Sequence, residues 1–96
     1  MFIVTLTFTR PLEEVDVHVE AHRAWVLRQF ANGLFIASGR RVPREGGVIL
    51  ARSGDRALLD AALAEDPFAR HGLIETQVVE FAPVLTAEVA RGLEGL

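Results

Sequence analysis

Cysteine and lysine are both missing from the sequence, and each absence excludes a kind of chemistry. Without cysteine the chain has no disulfide framework, no thiol nucleophile and no thiolate metal site. Without lysine it has neither a Schiff-base amine nor the lysine of a phosphate-binding P-loop. Long apolar runs and a basic N-terminal segment are also missing. We therefore predict neither a membrane span nor a secretory signal, and we expect a soluble, cytoplasmic protein.

Basic charge is scarce as well. Ten basic residues, all of them arginine, stand against 13 acidic residues and give a formal net charge of −3. Proteins that bind nucleic acids or anionic membrane surfaces usually carry a basic patch. We therefore expect no nucleic acid and no membrane as a partner.

The length of 96 residues fits one domain and leaves no room for a second hydrophobic core. Apolar residues make up 50% of the chain and charged residues 24%, which is typical of folded proteins. We predict a single domain over residues 1–96, with a core in residues 1–83 and a short helix or tail in residues 84–96. A domain this small buries only about 60–65% of the surface of its unfolded chain, so association would stabilise it.

The first predicted elements are a strand and a long helix. Every second residue from Phe2 to Phe8 is apolar, which is typical of a strand with one apolar face. From Leu12 to Phe30 the apolar residues recur at the helical period, and His22 falls within their stripe. This stripe is expected to pack on the sheet, with Trp25 and Gln29 on its flank.

Three more strands and a second helix follow. Leu34–Ser38 and Gly47–Ala51 are short apolar runs separated by a loop with glycine and proline, which predicts an antiparallel hairpin. Ser53 is the expected cap of the second helix. The predicted buried residues of that helix are Leu58, Leu59, Ala62 and Leu63. Residues 68–72 are predicted to form a connecting turn, and Leu73–Phe81 a fourth strand.

The resulting order, β-α-β-β-α-β, predicts an α+β protein of the ferredoxin-like type, in which two helices cover one face of a four-stranded antiparallel sheet. The other face is left open, and on the first strand it carries Ile3 and the threonines Thr5, Thr7 and Thr9. A face this apolar is unfavourable in water. We therefore predict a homodimer that buries the two open sheet faces against each other.

Several segments of the chain, in this order, resemble the YCII-related family. They are Ala21–Leu27 on the first helix, Gly33–Gly39 on the second strand, Asp66–Phe68 after the second helix, and the pair Gly72 and Leu73. The resemblance extends from the first strand to Phe81. The sequence departs from the family pattern at Arg40, where proline is usual, and at His71, where a small residue is usual.

The resemblance implies a ferredoxin-like fold that pairs into a dimeric α+β barrel. It also implies a site formed by the helix-borne His22 and by Asp66 of the Asp-Pro-Phe segment. Most members of the family have no assigned substrate. One branch is associated with the dechlorination of a chlorinated hydroxyquinol.

His22 is the strongest single candidate for a functional residue. An imidazole within an apolar stripe needs a hydrogen-bond partner for its N–H group. A carboxylate from Asp66 would accept that hydrogen bond, fix the tautomer and allow the ring to transfer protons. The alternative is that His22 is a structural histidine and that Asp66 is a turn residue before Pro67.

Four further residues are candidates for substrate binding. Ser38 could point its hydroxyl into a pocket, and Arg40 could hold an anionic substrate through a bidentate contact. Trp25 and Phe68 are the aromatic candidates. The alternatives are a turn hydroxyl for Ser38, a solvated charge for Arg40 and core packing for Trp25, since a lone tryptophan at helical spacing more often packs in a core.

A metal site is the remaining chemical option. His18 and His22 lie four residues apart on the predicted helix, a spacing that can hold a metal ion. A catalytic metal normally needs a third protein ligand, and no third candidate stands at a diagnostic spacing. We therefore predict no metal and no other cofactor.

The sequence thus predicts a cofactor-free enzyme in which His22 acts as general base or acid and Asp66 orients it. A histidine–aspartate pair without a nucleophile suits elimination or isomerisation, and hydrolysis stays open. The expected substrate is a small, partly apolar molecule with an aromatic ring or hydroxyl groups. Two alternatives remain. One is a non-catalytic module that binds a small ligand or serves assembly. The other is an enzyme of another α+β-barrel family, such as a muconolactone-isomerase-like enzyme or a cofactor-independent monooxygenase.

Overall fold

A four-stranded antiparallel sheet organises the fold. In the computed structural model, which describes residues 1–52 and 54–96, the strands are β1 (Phe2–Phe8), β2 (Phe35–Arg40), β3 (Gly46–Ala51) and β4 (Ile74–Glu80). Their order across the sheet is β2-β3-β1-β4, and each neighbouring pair is antiparallel. This is the split-βαβ topology, so the predicted ferredoxin-like α+β fold is confirmed.

Helical segments connect the strands and follow the last one. They are α1 (Leu12–Asp16), α2 (Val19–Ala31), α3 (Arg56–Ala64), α4 (Pro67–Arg70) and a 3-10 helix (Glu88–Leu93) in the predicted tail. The predicted long first helix is therefore wrong, because it is interrupted at Val17 and His18. The backbone N–H of His18 donates to the Val15 carbonyl at 2.9 Å and closes a tight turn there. Alternating valines explain the interruption, since β-branched side chains disfavour the helix interior.

The second predicted helix also differs in detail from α3. Its cap is Asp55, whose carboxylate accepts a hydrogen bond from the backbone N–H of Ala57 at 2.9 Å. The predicted cap, Ser53, lies outside the described residues. Three of the four predicted apolar residues of this helix are buried, whereas Leu58 is 60% exposed.

Helix α4 stands where a connecting turn was predicted. Proline at the first helical position is pre-organised for a helix, because its missing N–H group would have had no partner there. Pro67 occupies that position, and Asp66 caps the helix by accepting from the backbone N–H of Phe68 at 3.0 Å. This short helix fixes the position of Asp66 at its start.

The main core lies between the sheet and helices α2 and α3. Its buried residues are Phe2, Val4, Leu6, Trp25, Phe35, Ile49, Ala51, Leu59 and Leu63. The side of α2 that packs on the sheet differs from the predicted stripe. The buried residues of α2 are Trp25 and Gln29, which were predicted to lie on the flank of that stripe. The predicted stripe residues Val26 and Phe30 are only partly buried or exposed. Both line a cleft that is described below, and Val26 also packs against the main core.

The face of the sheet opposite the helices is apolar in part. Ile3 and Thr5 of β1 lie on this face beside Leu50 and Val48 of β3, and all four are half-buried. On β4 the same face carries Val79, whose side chain is 59% exposed. Over residues 1–52 and 54–96, no helix has both the length and the apolar character needed to cross a membrane.

Candidate active site

His22 and Asp66, 44 residues apart in the chain, lie in direct contact. The Nδ1 atom of His22 is 2.7 Å from the Oδ1 atom of Asp66. Asp66 is 1% exposed and His22 is 19% exposed at the side chain, so the carboxylate is buried and the ring reaches the surface. With Asp66 ionised, Nδ1–H donates to the carboxylate, which leaves the lone pair of neutral His22 on Nε2.

Asp66 serves two hydrogen-bond donors through one oxygen. Its Oδ1 atom accepts from His22 and from the backbone N–H of Phe68. Its other oxygen, Oδ2, is buried and has no hydrogen-bond partner among the described residues. The structural and functional interpretations of Asp66 are therefore compatible, because the helix cap holds the carboxylate where His22 can reach it.

The imidazole of His22 lies next to the aromatic rings of Phe68 and Trp25. The Phe68 ring stacks on the imidazole with centroids 4.0 Å apart and planes 7° apart, and the Trp25 ring lies 5.5 Å away. Phe68 therefore limits the tilt of the imidazole, while the bond to Asp66 fixes its in-plane rotation. Among the described residues, Nε2 of His22 has no hydrogen-bond partner. The ring is thus held through Nδ1, while Nε2 carries no hydrogen bond within the described residues.

A cleft of about 590 Å³ lies beside this pair, between α2 and the ends of β1, β2 and β3. His22 and Phe68 are among its lining residues. Most of its apolar wall is the side of α2 that carries Val19, Val26, Leu27 and Phe30. The apolar residues that recur along this helix thus form a wall of the cleft as well as contacts with the core.

Glycines form part of the cleft floor. Gly46 and Gly47 line the cleft where β3 begins. At Gly46, with φ of 153°, a Cβ atom would collide with the carbonyl oxygen of Leu6. Gly47 lies opposite Arg40 on β2, and a Cβ atom there would lie 3.1 Å from the carbonyl oxygen of Gly39, so the strands leave little room for a side chain.

The structure brings five of the six predicted site residues together. Ser38 and Arg40 line the same cleft as His22 and Phe68, and Asp66 lies directly behind His22. Trp25 does not line the cleft. It is fully buried, and its indole N–H donates to the carbonyl of Ala62 at 3.0 Å. We therefore treat Trp25 as a core residue.

Sequence reasoning missed two lining arginines, Arg23 and Arg44. Because Arg23 lies off the apolar stripe of the first helix, the helical period places it towards solvent. Its position directly after His22 was the one feature of the sequence that could have indicated a place at the site. Arg44 lies in the loop between β2 and β3, where no strand or helix period indicates which way a side chain points.

His18 does not share a site with His22. Its ring stacks on that of His71 with centroids 3.8 Å apart and planes 20° apart. Over the described part of the chain, no three His, Asp or Glu side chains form a group that could hold a metal ion. The four-residue spacing of the two histidines therefore does not translate into a shared ligand set.

The fold and the site define a class: a ferredoxin-like α+β domain with a histidine–aspartate pair on the wall of a cleft. The family model described as the YCII-related domain matches residues 1–82. Because that match covers most of the chain, the protein belongs to the YCII-related family. Among curated protein sequences, none matches this chain.

A solved structure with the same fold is 5-chloro-2-hydroxyhydroquinone dehydrochlorinase from Burkholderia phenoliruptrix AC1100, in complex with 2,5-dihydroxybenzoquinone. The similarity has a TM-score of 0.70 and covers 84% of this chain and 93% of that chain. The two sequences are 18% identical, and at that level the likeness establishes the shared fold alone.

Proposed function

We propose that this protein is a cofactor-free enzyme that removes a proton from a small molecule and so drives elimination or isomerisation. The observation that carries this proposal is the 2.7 Å hydrogen bond between His22 and Asp66 on the wall of an open cleft. The buried carboxylate fixes the proton on Nδ1, which leaves Nε2 able to accept another. His22 is the general base, and Asp66 is its positioning residue.

In elimination, Nε2 of His22 takes a proton from a hydroxyl or an activated C–H group of the substrate. The electron pair of that bond moves into the substrate, and a leaving group departs with its own bonding pair, for example as chloride. The imidazolium that forms is stabilised by Asp66 through a charge-assisted hydrogen bond. The proton then passes to solvent, and no redox partner is required. In isomerisation the same nitrogen returns the proton to a different atom.

The cleft favours a small, partly apolar ring as substrate. Val26, Leu27 and Phe30 offer an apolar wall on α2, while Ser38 and Arg40 offer polar groups on β2. The fold neighbour supports this class, since it is named as a dehydrochlorinase of a chlorinated hydroxyhydroquinone. A dehydrochlorinase removes a proton and a chloride, which is the step that a positioned base would assist.

The test is a search for turnover with the whole purified chain. Chlorinated hydroxyhydroquinones, kept anaerobic, are assayed for chloride release, and unhalogenated ring compounds are assayed for deuterium uptake from D2O. We expect turnover by the native chain and about tenfold slower turnover by Asp66→Asn. The amide oxygen can still accept from His22 and cap α4, whereas the charge that stabilises the imidazolium is lost.

Asp55→Asn is the matched control, because it makes the same change at the cap of α3 and outside the cleft. Its rate should equal that of the native chain. If the ring compounds shift the NMR signals of cleft residues but none is turned over, the protein is a non-catalytic binding module. Equal rate losses in Asp66→Asn and Asp55→Asn would also contradict the proposed role of Asp66.

We also propose that two copies of the chain pair through their open sheet faces. Leu50 and Val48 of β3 are half-buried there, and the exposed Val79 of β4 lies on the other side of β1. Stable interfaces bury about 800 Å² on each partner, a size that a four-stranded sheet face can supply. Such pairing would remove these side chains from water without covering the cleft, which lies on the other side of the sheet.

Sedimentation of the native chain should therefore show a dimer, and Leu50→Glu should shift it to a monomer. A charge on the sheet face would be buried without a partner in the dimer, which is strongly unfavourable. Leu58→Glu is the control, because Leu58 is an exposed leucine on α3, away from this face. A native chain that stays monomeric from micromolar to millimolar concentration would exclude the dimer.

A further inference from the structure

The cleft concentrates positive charge in a protein whose net charge is −3. Three arginines, Arg23, Arg40 and Arg44, line the cleft, and no Asp or Glu is among its lining residues. None of the 13 acidic residues of the chain lines the cleft itself, and two of them, Asp66 and Asp16, pair with the lining residues His22 and Arg44. The charge distribution at this cleft is therefore opposite to that of the molecule as a whole.

Two of these arginines are available to a ligand. Arg44 is already paired, since its Nη2 atom lies 2.6 Å from the Oδ1 atom of Asp16, and its guanidinium lies 5.9 Å from the centre of the Phe8 ring. Arg23 and Arg40 form no hydrogen bond or ion pair with any described residue. Both are exposed, so neither has lost its ability to bind an anion.

The two free arginines project from different walls. Arg23 follows His22 on α2. Arg40 ends β2 opposite Gly47, which itself lies opposite the buried Leu6 of β1, so Arg40 is on the helix-covered side of the sheet. Ser38, two residues earlier on the same side of β2, adds a hydroxyl donor.

We propose that the substrate of the His22 site carries an oxyanion group, a carboxylate or a phosphate, which Arg23 and Arg40 bind from the two walls of the cleft. This inference rests on the proposed function only in taking the cleft as the substrate site. A guanidinium presents paired N–H donors that match the oxygens of a carboxylate or a phosphate. Anion binding there would place the apolar part of the molecule against α2, within reach of Nε2 of His22.

The test compares the binding of matched anionic and neutral compounds to the whole chain. The probes are 4-hydroxybenzoate against 4-hydroxybenzamide, and phenyl phosphate against phenol, with binding followed by NMR shifts of cleft residues. We expect the anionic member of at least one pair to bind about tenfold or more tightly than its neutral partner. The pair that shows the preference distinguishes a carboxylate from a phosphate ligand.

Arginine variants assign the preference to particular side chains. Arg23→Gln and Arg40→Gln should each weaken binding of the preferred anion by about tenfold. Arg28→Gln removes the same charge from α2 outside the cleft and should leave the affinity unchanged. Equal binding of anionic and neutral probes, no binding of any probe, or equal losses in all three variants would overturn the proposal.

Failure of this inference can be told apart from failure of the proposed function. If anions bind through Arg23 and Arg40 and no compound is turned over, the anion site stands and the enzymatic proposal fails. If neutral ring compounds are turned over at rates that Arg23→Gln and Arg40→Gln leave unchanged, the enzymatic proposal stands and the anion site fails.

Discussion

His22→Ala is expected to lower kcat by about 10²- to 10⁴-fold, because a positioned general base contributes a rate factor of this size. The substitution removes Nε2, which has no hydrogen-bond partner among the described residues, together with the rest of a ring that lines the cleft. It also removes the Nδ1–H donor to Asp66, so the buried carboxylate keeps only the backbone N–H of Phe68. The measurement is kcat and KM on whichever compound the native chain turns over.

Two controls separate loss of the base from loss of the fold. His18→Ala removes a histidine from the start of the same helix, outside the cleft, and should leave kcat unchanged. Added imidazole should restore part of the rate to His22→Ala, because the open cleft can admit a free ring in place of the missing one. A His22→Ala chain with native circular dichroism and native kcat would refute the role of His22.

Trp25→Ala is expected to lower the free energy of unfolding by about 3–5 kcal/mol, the range for deletion of a large buried aromatic side chain. Trp25 is fully buried, packs edge-on against Phe35 at 5.3 Å and donates its indole N–H to Ala62. The substitution leaves a cavity and removes the indole hydrogen bond to the Ala62 carbonyl, which keeps the backbone N–H of Glu65 as a donor. Because Trp25 is the single tryptophan of the chain, unfolding is followed by circular dichroism.

The control for this variant is Leu27→Ala, since Leu27 is 55% exposed on the same helix and its loss should change stability by only about 0.5 kcal/mol. Trp25→Phe keeps an aromatic ring and removes the hydrogen bond, so its stability should fall between those of the native chain and Trp25→Ala. A Trp25→Ala chain that loses under 1 kcal/mol of stability but binds ligand more weakly would show that Trp25 contacts the ligand.

Much of the fold was predictable from local patterns. The alternation from Phe2 to Phe8 and the order of strands and helices gave the ferredoxin-like class, because the side-chain period of a strand or helix depends on neighbouring residues. The interruption at Val17 and His18 was missed, since periodicity continues across it. The sequence also did not show which side of the first helix packs on the sheet. Successive residues are about 100° apart around a helix axis, so a small error in the assumed orientation of the helix exchanges core residues and cleft residues.

The candidate site was predictable only in part. His22 stood out as a polar residue in an apolar stripe, and the family resemblance supplied Asp66 as its partner. The sequence could not show that the two touch, because their 44-residue separation is bridged only when α2 and α4 pack together. Helix α4 and its cap decide where the Asp66 carboxylate sits.

The sequence by itself determined the order of the elements, the apolar face of the first strand and the family to which the chain belongs. The tertiary structure decided that His22 contacts Asp66, that Trp25 lies in the core and that Arg23 shares a cleft with Arg40. The physical reason is the range of the interactions. Strand and helix periods are set by residues a few positions apart, whereas a cleft forms between surfaces whose mutual orientation depends on the packing of the whole domain.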